Sequence, residues 1–219
     1  MVVLGLTGSI GMGKSTLAAM LRRLGVPVHD ADAVVHGLLA PGGAAVKPIL
    51  AAFPEVIASN GGIDRARLGR LVFFDAEALR RLEKILHPLV AARRDAFLAA
   101  MRRRRAEVVV LDVPLLFETG GERLCDAVIT VSAPAFLQRQ RVLRRPGMTP
   151  QKLSAILARQ LPDAEKRRRA VAVIDTGLGM RHSLKMLRGF VSMVPRLKPS
   201  GHVHARNRAR YRNDWLRSR

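Results

Sequence analysis

Gly8-Ser9-Ile10-Gly11-Met12-Gly13-Lys14-Ser15 sets glycines, a lysine and a hydroxyl at the spacing G-x-x-x-x-G-K-[ST], directly after the apolar run Val2 to Leu6. Each residue type has a chemical reason to be there. Glycines let the backbone close around phosphate oxygens, and consecutive amides opening a helix form an anion cradle. The backbone of Gly11, Met12, Gly13, Lys14, Ser15 and Thr16 is therefore expected to wrap a nucleotide triphosphate. Lys14 can reach its β and γ phosphates, and the Ser15 hydroxyl can ligate Mg²⁺. Two similar patterns are excluded: Lys14 to Thr16 supply no third glycine for a dinucleotide fingerprint, and Thr7 stands where a hydrolase elbow needs glycine.

The elements that must position this loop are legible around it. Val2 to Leu6 reads as a buried strand, and Leu17, Met20, Leu21 and Leu24 fall at helical spacing with Gly25 as a stop. A second strand at Val26 to His29 leads into Asp30-Ala31-Asp32. In an open parallel sheet ligands bind beyond the C-terminal strand ends, so these carboxylates are candidates for acid/base work. Asp30 has a competing use as the cap of the helix that starts near Ala33; one cap does not need two carboxylates. Val108 to Leu111 ends in Asp112, the pattern of a buried parallel strand presenting an acidic group near Mg²⁺, with a turn or cap as its plainer use. Val128 to Ser132 and Val171 to Asp175 complete the sheet, and a last helix is expected over about 181–193.

Residues 33–105 read as mainly helical, broken at Pro41-Gly42-Gly43 and Asn60-Gly61-Gly62. Val46, Ile49, Leu50 and Phe53 share one face, and Leu79, Leu82, Ile85, Leu86 and Leu89 another. The length suits a lobe that covers an acceptor. His87-Pro88 is expected at a helix break, with His87 either a ligand-binding or a packing residue, and Arg102 to Arg105 form a solvated helix end. From Pro134 a helix is expected to run through Arg139, Arg141, Arg144 and Arg145 up to Pro146-Gly147, followed by a second from about Thr149. An arginine-rich lid of this kind would stabilise charge on a transferring phosphoryl group and exclude water; the plainer use is a basic solvated face.

Composition bounds the rest. The 219 residues fit one domain of ordinary core size, and the single cysteine, Cys125, excludes an internal disulfide and suits a reducing cytoplasm. No long apolar segment is present to cross a membrane. The net charge of +21 is local in origin. Residues 196–219 carry eight Lys/Arg against Asp214, a net +7, and residues 139–169 carry ten against Asp163 and Glu165, a net +8. The tail's Gly, Pro, Ser and alternating arginines read as disordered.

Taken together, these segments closely resemble dephospho-CoA kinase over about residues 2–178. The resemblance rests on Asp30-Ala31-Asp32, Gly62-Ile63-Asp64-Arg65, Leu82-Glu83, Leu86-His87-Pro88-Leu89, Asp112 to Glu118, Arg144 to Thr149, Arg159-Gln160 and Val173-Ile174-Asp175. It implies an α/β P-loop kinase fold of three α/β/α layers. The expected parts are a five-stranded parallel sheet, an acceptor lobe at about 33–105 and a lid at about 138–168, with domain 1–195 followed by the basic tail 196–219. The implied partners are ATP and dephospho-CoA, with Mg²⁺ as cofactor and CoA and ADP as products. It further implies Asp32 as the base and Lys14 and the loop amides on phosphates, with Ser15 and Asp112 toward Mg²⁺. Arg139, Arg144 or Arg145 would meet the migrating charge, and Arg65 and His87 the acceptor. The chain departs from the family at Thr176, where many members carry Asn.

Competing functions are separable. Another small-molecule P-loop kinase would share the loop and lid but differ in acceptor lobe. A nucleic-acid-binding protein that switches with ATP would exploit the basic charge. Only 4% of residues are aromatic and no nucleic-acid signature appears, so at most weak, salt-sensitive RNA binding by the tail is expected. A metal site at His29, Asp30, Asp32 and His36 lacks a recognised ligand spacing.

Overall fold

The computed structural model describes residues 1–73 and 75–194; the expectation for the basic tail lies outside them. The elements in chain order are β1 (Val2–Thr7), α1 (Lys14–Arg23), β2 (Val28–Asp30), α2 (Ala31–Leu39), α3 (Val46–Ala52), α4 (Arg65–Phe73) and α5 (Ala76–Arg103). They continue with β3 (Val108–Asp112), β4 (Ala127–Ser132), α6 (Ala135–Leu143), α7 (Pro150–Ala158), α8 (Asp163–Arg169), β5 (Ala172–Asp175) and α9 (Met180–Met193). Two compact units result: Met1–His29 with the described residues from Met101 onward, and Asp30–Ala100.

In the first unit the strands form one sheet of order β2-β3-β1-β4-β5, with β1 paired in parallel to β3 and β4, and β4 to β5. β1, β3 and β4 are buried at every position, which is why they read as unbroken apolar runs and not as alternating ones. Leu4, Leu6, Val110, Ile129 and Val131 share a core with Leu17 and Leu21 of α1 and Leu187 and Phe190 of α9. Thr130, on the alternate side of β4, donates from Oγ1 to the Lys166 carbonyl of α8. Helices therefore cover both faces, the layering expected from sequence. The register sets Asp112 opposite Leu6, at the end of β1 from which the glycine loop departs.

The second unit closes its own core from Leu38, Leu39, Val46, Ile49, Phe53, Ile63, Leu68 and Leu82. The two expected breaks are turns: Gly43 N donates to Ala40 O at 2.8 Å, and Ala58 N to Gly62 O at 2.9 Å. Gly43 is obligatory, because a Cβ there would lie 2.2 Å from the Leu38 carbonyl oxygen.

Three local expectations are corrected. No helix break occurs at His87-Pro88, since α5 runs unbroken from Ala76 to Arg103 with Pro88 inside it. A proline there removes one helical bond and costs about 3 kcal/mol. Ile85, Leu86, Leu89 and Val90 pack against the core on either side of it and hold the helix together. On the same helix Leu79 is exposed and Ala78 takes its place in the core. Finally, α6 stops at Leu143, so Arg144 caps it and Arg145 lies beyond. Pro146 disfavours helical geometry for the residue before it. Among the described residues no helix is long and apolar enough to cross a membrane.

Candidate phosphate and acceptor sites

The loop between β1 and α1 has the backbone its glycines allow. Gly11 and Gly13 adopt φ of +78° and +94°, a region that side chains with a Cβ rarely enter. Gly11 is further constrained from outside: a Cβ on it would lie 2.5 Å from Val142 Cγ2 of α6. Helix α1 opens at Lys14 straight after Gly13, so its first amides surround the loop. Ser15 and Thr16 are exposed there, while Met12 is buried and its Sδ accepts from Ala133 N at 3.1 Å.

Lys14 Nζ lies 2.6 Å from Asp112 Oδ1, an ion pair between side chains 14% and 3% exposed. The pair joins the loop lysine to the carboxylate at the end of β3. The oxygen donors here, the Ser15 hydroxyl and the Asp112 carboxylate, are of the hard kind Mg²⁺ takes, in the small number it uses when phosphates and water fill its remaining positions.

Side chains from distant segments surround the loop on its outer side. Gln138 Nε2 donates to Ile10 O at 2.8 Å, and Ile10 N donates to Gln160 Oε1 at 3.1 Å. Thr176 Oγ1 donates to Met12 O at 2.7 Å and accepts from Arg141 Nη1 at 2.9 Å. Farther along, Leu161 N donates to Glu118 Oε1 at 2.8 Å, and the fully buried Lys166 ammonium lies 2.8 Å from the same oxygen. Burial alone would raise the Glu118 pKa. The Lys166 hydrogen bond and the Leu161 amide outweigh it and hold the carboxyl below its ordinary value. The basic stretch around Lys166 is thus not wholly a solvated face.

Arg139, Arg144 and Arg145 are all exposed, the first on α6 and the others at and past its end. Arg141 differs from them. Its Nη2 donates to Thr176 O at 2.9 Å, so it is spent on the protein.

In the second unit Asp30 is the cap of α2, accepting from Ala33 N at 3.0 Å. Asp32 is left in the first turn as an exposed carboxylate. One turn on, His36 Nδ1 meets Arg65 Nη1 at 3.4 Å. His36 and Arg65 line a cavity of about 230 Å³ with Leu39, Pro41, Asn60 and Ile63. His87 is exposed on α5 and is not part of that lining. Among the described residues no group of three or more His, Cys, Asp or Glu is arranged to hold a metal by itself.

Sequence reasoning singled out the loop, Asp32, Arg65 and Asp112. It missed the use of Gln138 and of His36 beside Arg65, and it noticed Thr176 only as a departure from a family pattern. Nothing local marks Gln138 or Thr176, whose partners lie 128 and 164 residues away.

Comparison with known proteins gives these sites a family. A family model described as CoaE: Dephospho-CoA kinase matches residues 2–180. The Dephospho-CoA kinase of Rhodospirillum rubrum is 62% identical over 193 residues, covering 88% of this chain and 92% of that protein. That of Paramagnetospirillum magneticum is also 62% identical, over 203 residues, covering 93% and 95%. Among solved structures, TT1252 from Thermus thermophilus superposes with a TM-score of 0.76 at 36% identity, covering 90% of this chain and 98% of that one. Dephospho-CoA kinase from Campylobacter jejuni, at 22% identity, shares the fold with a TM-score of 0.62 over 88% and 96%. With the family model matched from the first strand to the start of the last helix, the chain belongs to the dephospho-CoA kinase family.

Proposed function

We propose that this chain transfers the γ-phosphoryl of ATP to the ribose 3′-hydroxyl of dephospho-CoA, giving CoA and ADP in the last step of coenzyme A synthesis. The observation that carries the reading is the glycine loop with Lys14 held at 2.6 Å from Asp112, in a chain whose family match runs over residues 2–180. Lys14 is handed from Asp112 to the β and γ phosphates, and the amides of Gly11 to Thr16 cradle them. Ser15 and Asp112 are the residues that would hold Mg²⁺, which when bound neutralises charge on the phosphate oxygens.

Asp32 takes the proton of the 3′-hydroxyl and orients its oxygen for in-line attack. That role is supported by its exposure and by Asp30, which performs the capping and leaves the second carboxylate for chemistry. Arg139, Arg144 and Arg145 meet the charge that develops on the phosphoryl group, from a lid spanning about 138–168. Arg65 and His87 bind the acceptor, Arg65 through the anionic groups that its exposed guanidinium suits. Residues of about 33–105, most of them in the Asp30–Ala100 unit, serve as the acceptor lobe. A buried Cys125 with no second cysteine agrees with a cytoplasmic site of action.

The test is an assay of ADP release with MgATP, with and without dephospho-CoA, while CoA is followed by mass spectrometry. CoA rising in step with ADP is the expected result. ADP without CoA, or ADP that rises equally without acceptor, overturns it.

A further inference from the structure

The geometry points to Gln138, Arg141 and Thr176 as positioning residues that set which way the peptides of the phosphate loop face. The inference deepens the kinase reading above and rests on it. A trans peptide is planar, with the carbonyl of one residue and the amide of the next directed oppositely. Fixing a carbonyl therefore aims the following N–H.

All three carbonyls at the crown of the loop are held by side chains from elsewhere. Ile10 O takes Gln138 Nε2 at 2.8 Å, Gly11 O takes Arg141 Nη1 at 3.5 Å, and Met12 O takes Thr176 Oγ1 at 2.7 Å. The amides that follow Ile10 and Met12 belong to Gly11 and Gly13. Among the described residues neither of these donates to the protein, whereas Met12 N closes the turn to Ser9 O at 3.1 Å. Glycine at both positions is free to flip its peptide, so an unbraced loop would sample orientations that point these amides away from a phosphate.

The braces are themselves fixed. Thr176 N donates to Ser132 O at 2.9 Å, tying it to the end of β4. Arg141 bonds both the hydroxyl and the carbonyl of Thr176, at 2.9 Å each. Gln138 is 7% exposed in α6, a helix whose Val142 touches the same loop glycine. The hydroxyl of Thr176 acts in both directions, donating to the loop and accepting from arginine, which valine cannot reproduce and serine can.

The experiment is calorimetric titration of ADP and, separately, AMP with Mg²⁺ into the full chain and its Thr176→Val, Thr176→Ser and Gln138→Met variants. The loop cradles β and γ phosphates, so ADP reports on it and AMP does not. Thr176→Val should weaken ADP about tenfold, as expected for one lost bond on an oriented anion site. AMP should stay within about twofold, and Thr176→Ser should recover most of the ADP affinity. Gln138→Met, which keeps the volume, should weaken ADP in the same selective way and serves if Thr176→Val does not fold. ADP affinity unchanged in both variants overturns the inference, as does an equal loss for AMP or a serine variant no better than valine. Because neither ligand involves the acceptor, a failed acceptor assignment would leave this result intact, and the reverse.

Discussion

The two compact units use their polar side chains in opposite ways. In the unit that holds the phosphate loop, buried and half-buried polar groups pair across long stretches of chain: Lys14 to Asp112, Gln138 to Ile10, Arg141 to Thr176, Lys166 to Glu118 and Ser132 to Asp163. In the Asp30–Ala100 unit the carboxylates Asp30, Asp64 and Asp75 make local helix-start bonds, to Ala33, Arg67 and Ala78, and Asp32, His36, Arg65 and His87 stay exposed. The first arrangement builds a binding surface before the ligand arrives, since amides must already face the phosphate to gain from it. The second leaves its charged groups exposed, and in the function proposed above they stay hydrated until the acceptor replaces the water. Substitution should therefore be felt in stability in one unit and in kinetics alone in the other.

The sharpest separation is expected at Asp32. Asp32→Asn should lower kcat by about a thousandfold, within the range for loss of a general base, while ATP affinity and the thermal midpoint stay as they were. Steady-state kinetics with calorimetry checks this, and near-full kcat would remove Asp32 from the mechanism. Lys166→Met should do the reverse. It strands the Glu118 carboxylate in a buried position, costing about 3 kcal/mol of stability by urea denaturation. Glu118→Gln combined with Lys166→Met should restore most of that.

The pair also gives the first unit a pH signature. The folded Glu118 value lies below the ordinary 4.5, so its contribution is complete above about that pH and is lost as pH falls through the lower folded value. The urea midpoint of the wild type should fall more steeply below pH 4.5 than that of Glu118→Gln. Next in size, Arg65→Ala should raise KM for the acceptor about tenfold with KM for ATP unchanged, as for loss of one charge-assisted contact. The smallest effect belongs to Arg168→Ala. It breaks the exposed pair with Glu165, at 2.7 Å on the helix surface, and should leave melting temperature and turnover unchanged. A large loss there would mean that exposed pairs matter in this unit as buried ones do.

Much of this division is visible in the sequence, for identifiable reasons. The sheet announces itself because strands buried on both faces must be apolar throughout, and the loop because its glycines and lysine are fixed in spacing by phosphate geometry. Asp30 and Asp32 are a different case. The two are chemically identical, and only the end of β2 at Asp30 decides that the first caps α2 and the second does not. By sequence Arg141 is one more arginine of the stretch Arg139 to Arg145 that reads as a lid. Its bond to Thr176 depends on the turn after β5 coming beside α6, which no local pattern encodes. Periodicity sees neighbours along one element, and the residues that orient the loop arrive from two, α6 and the turn after β5.

Pro88 has a further meaning in the language of amide exchange. It carries no exchangeable amide and leaves the carbonyl one turn back, at Lys84, without its helical donor. The 28-residue helix is continuous in shape, yet its hydrogen-bond ladder is interrupted at that turn. Protection factors should therefore fall into two blocks, 76–87 and 89–103, with the amides flanking Pro88 exchanging faster than the interior of either block. One rod to the eye, α5 should open as two.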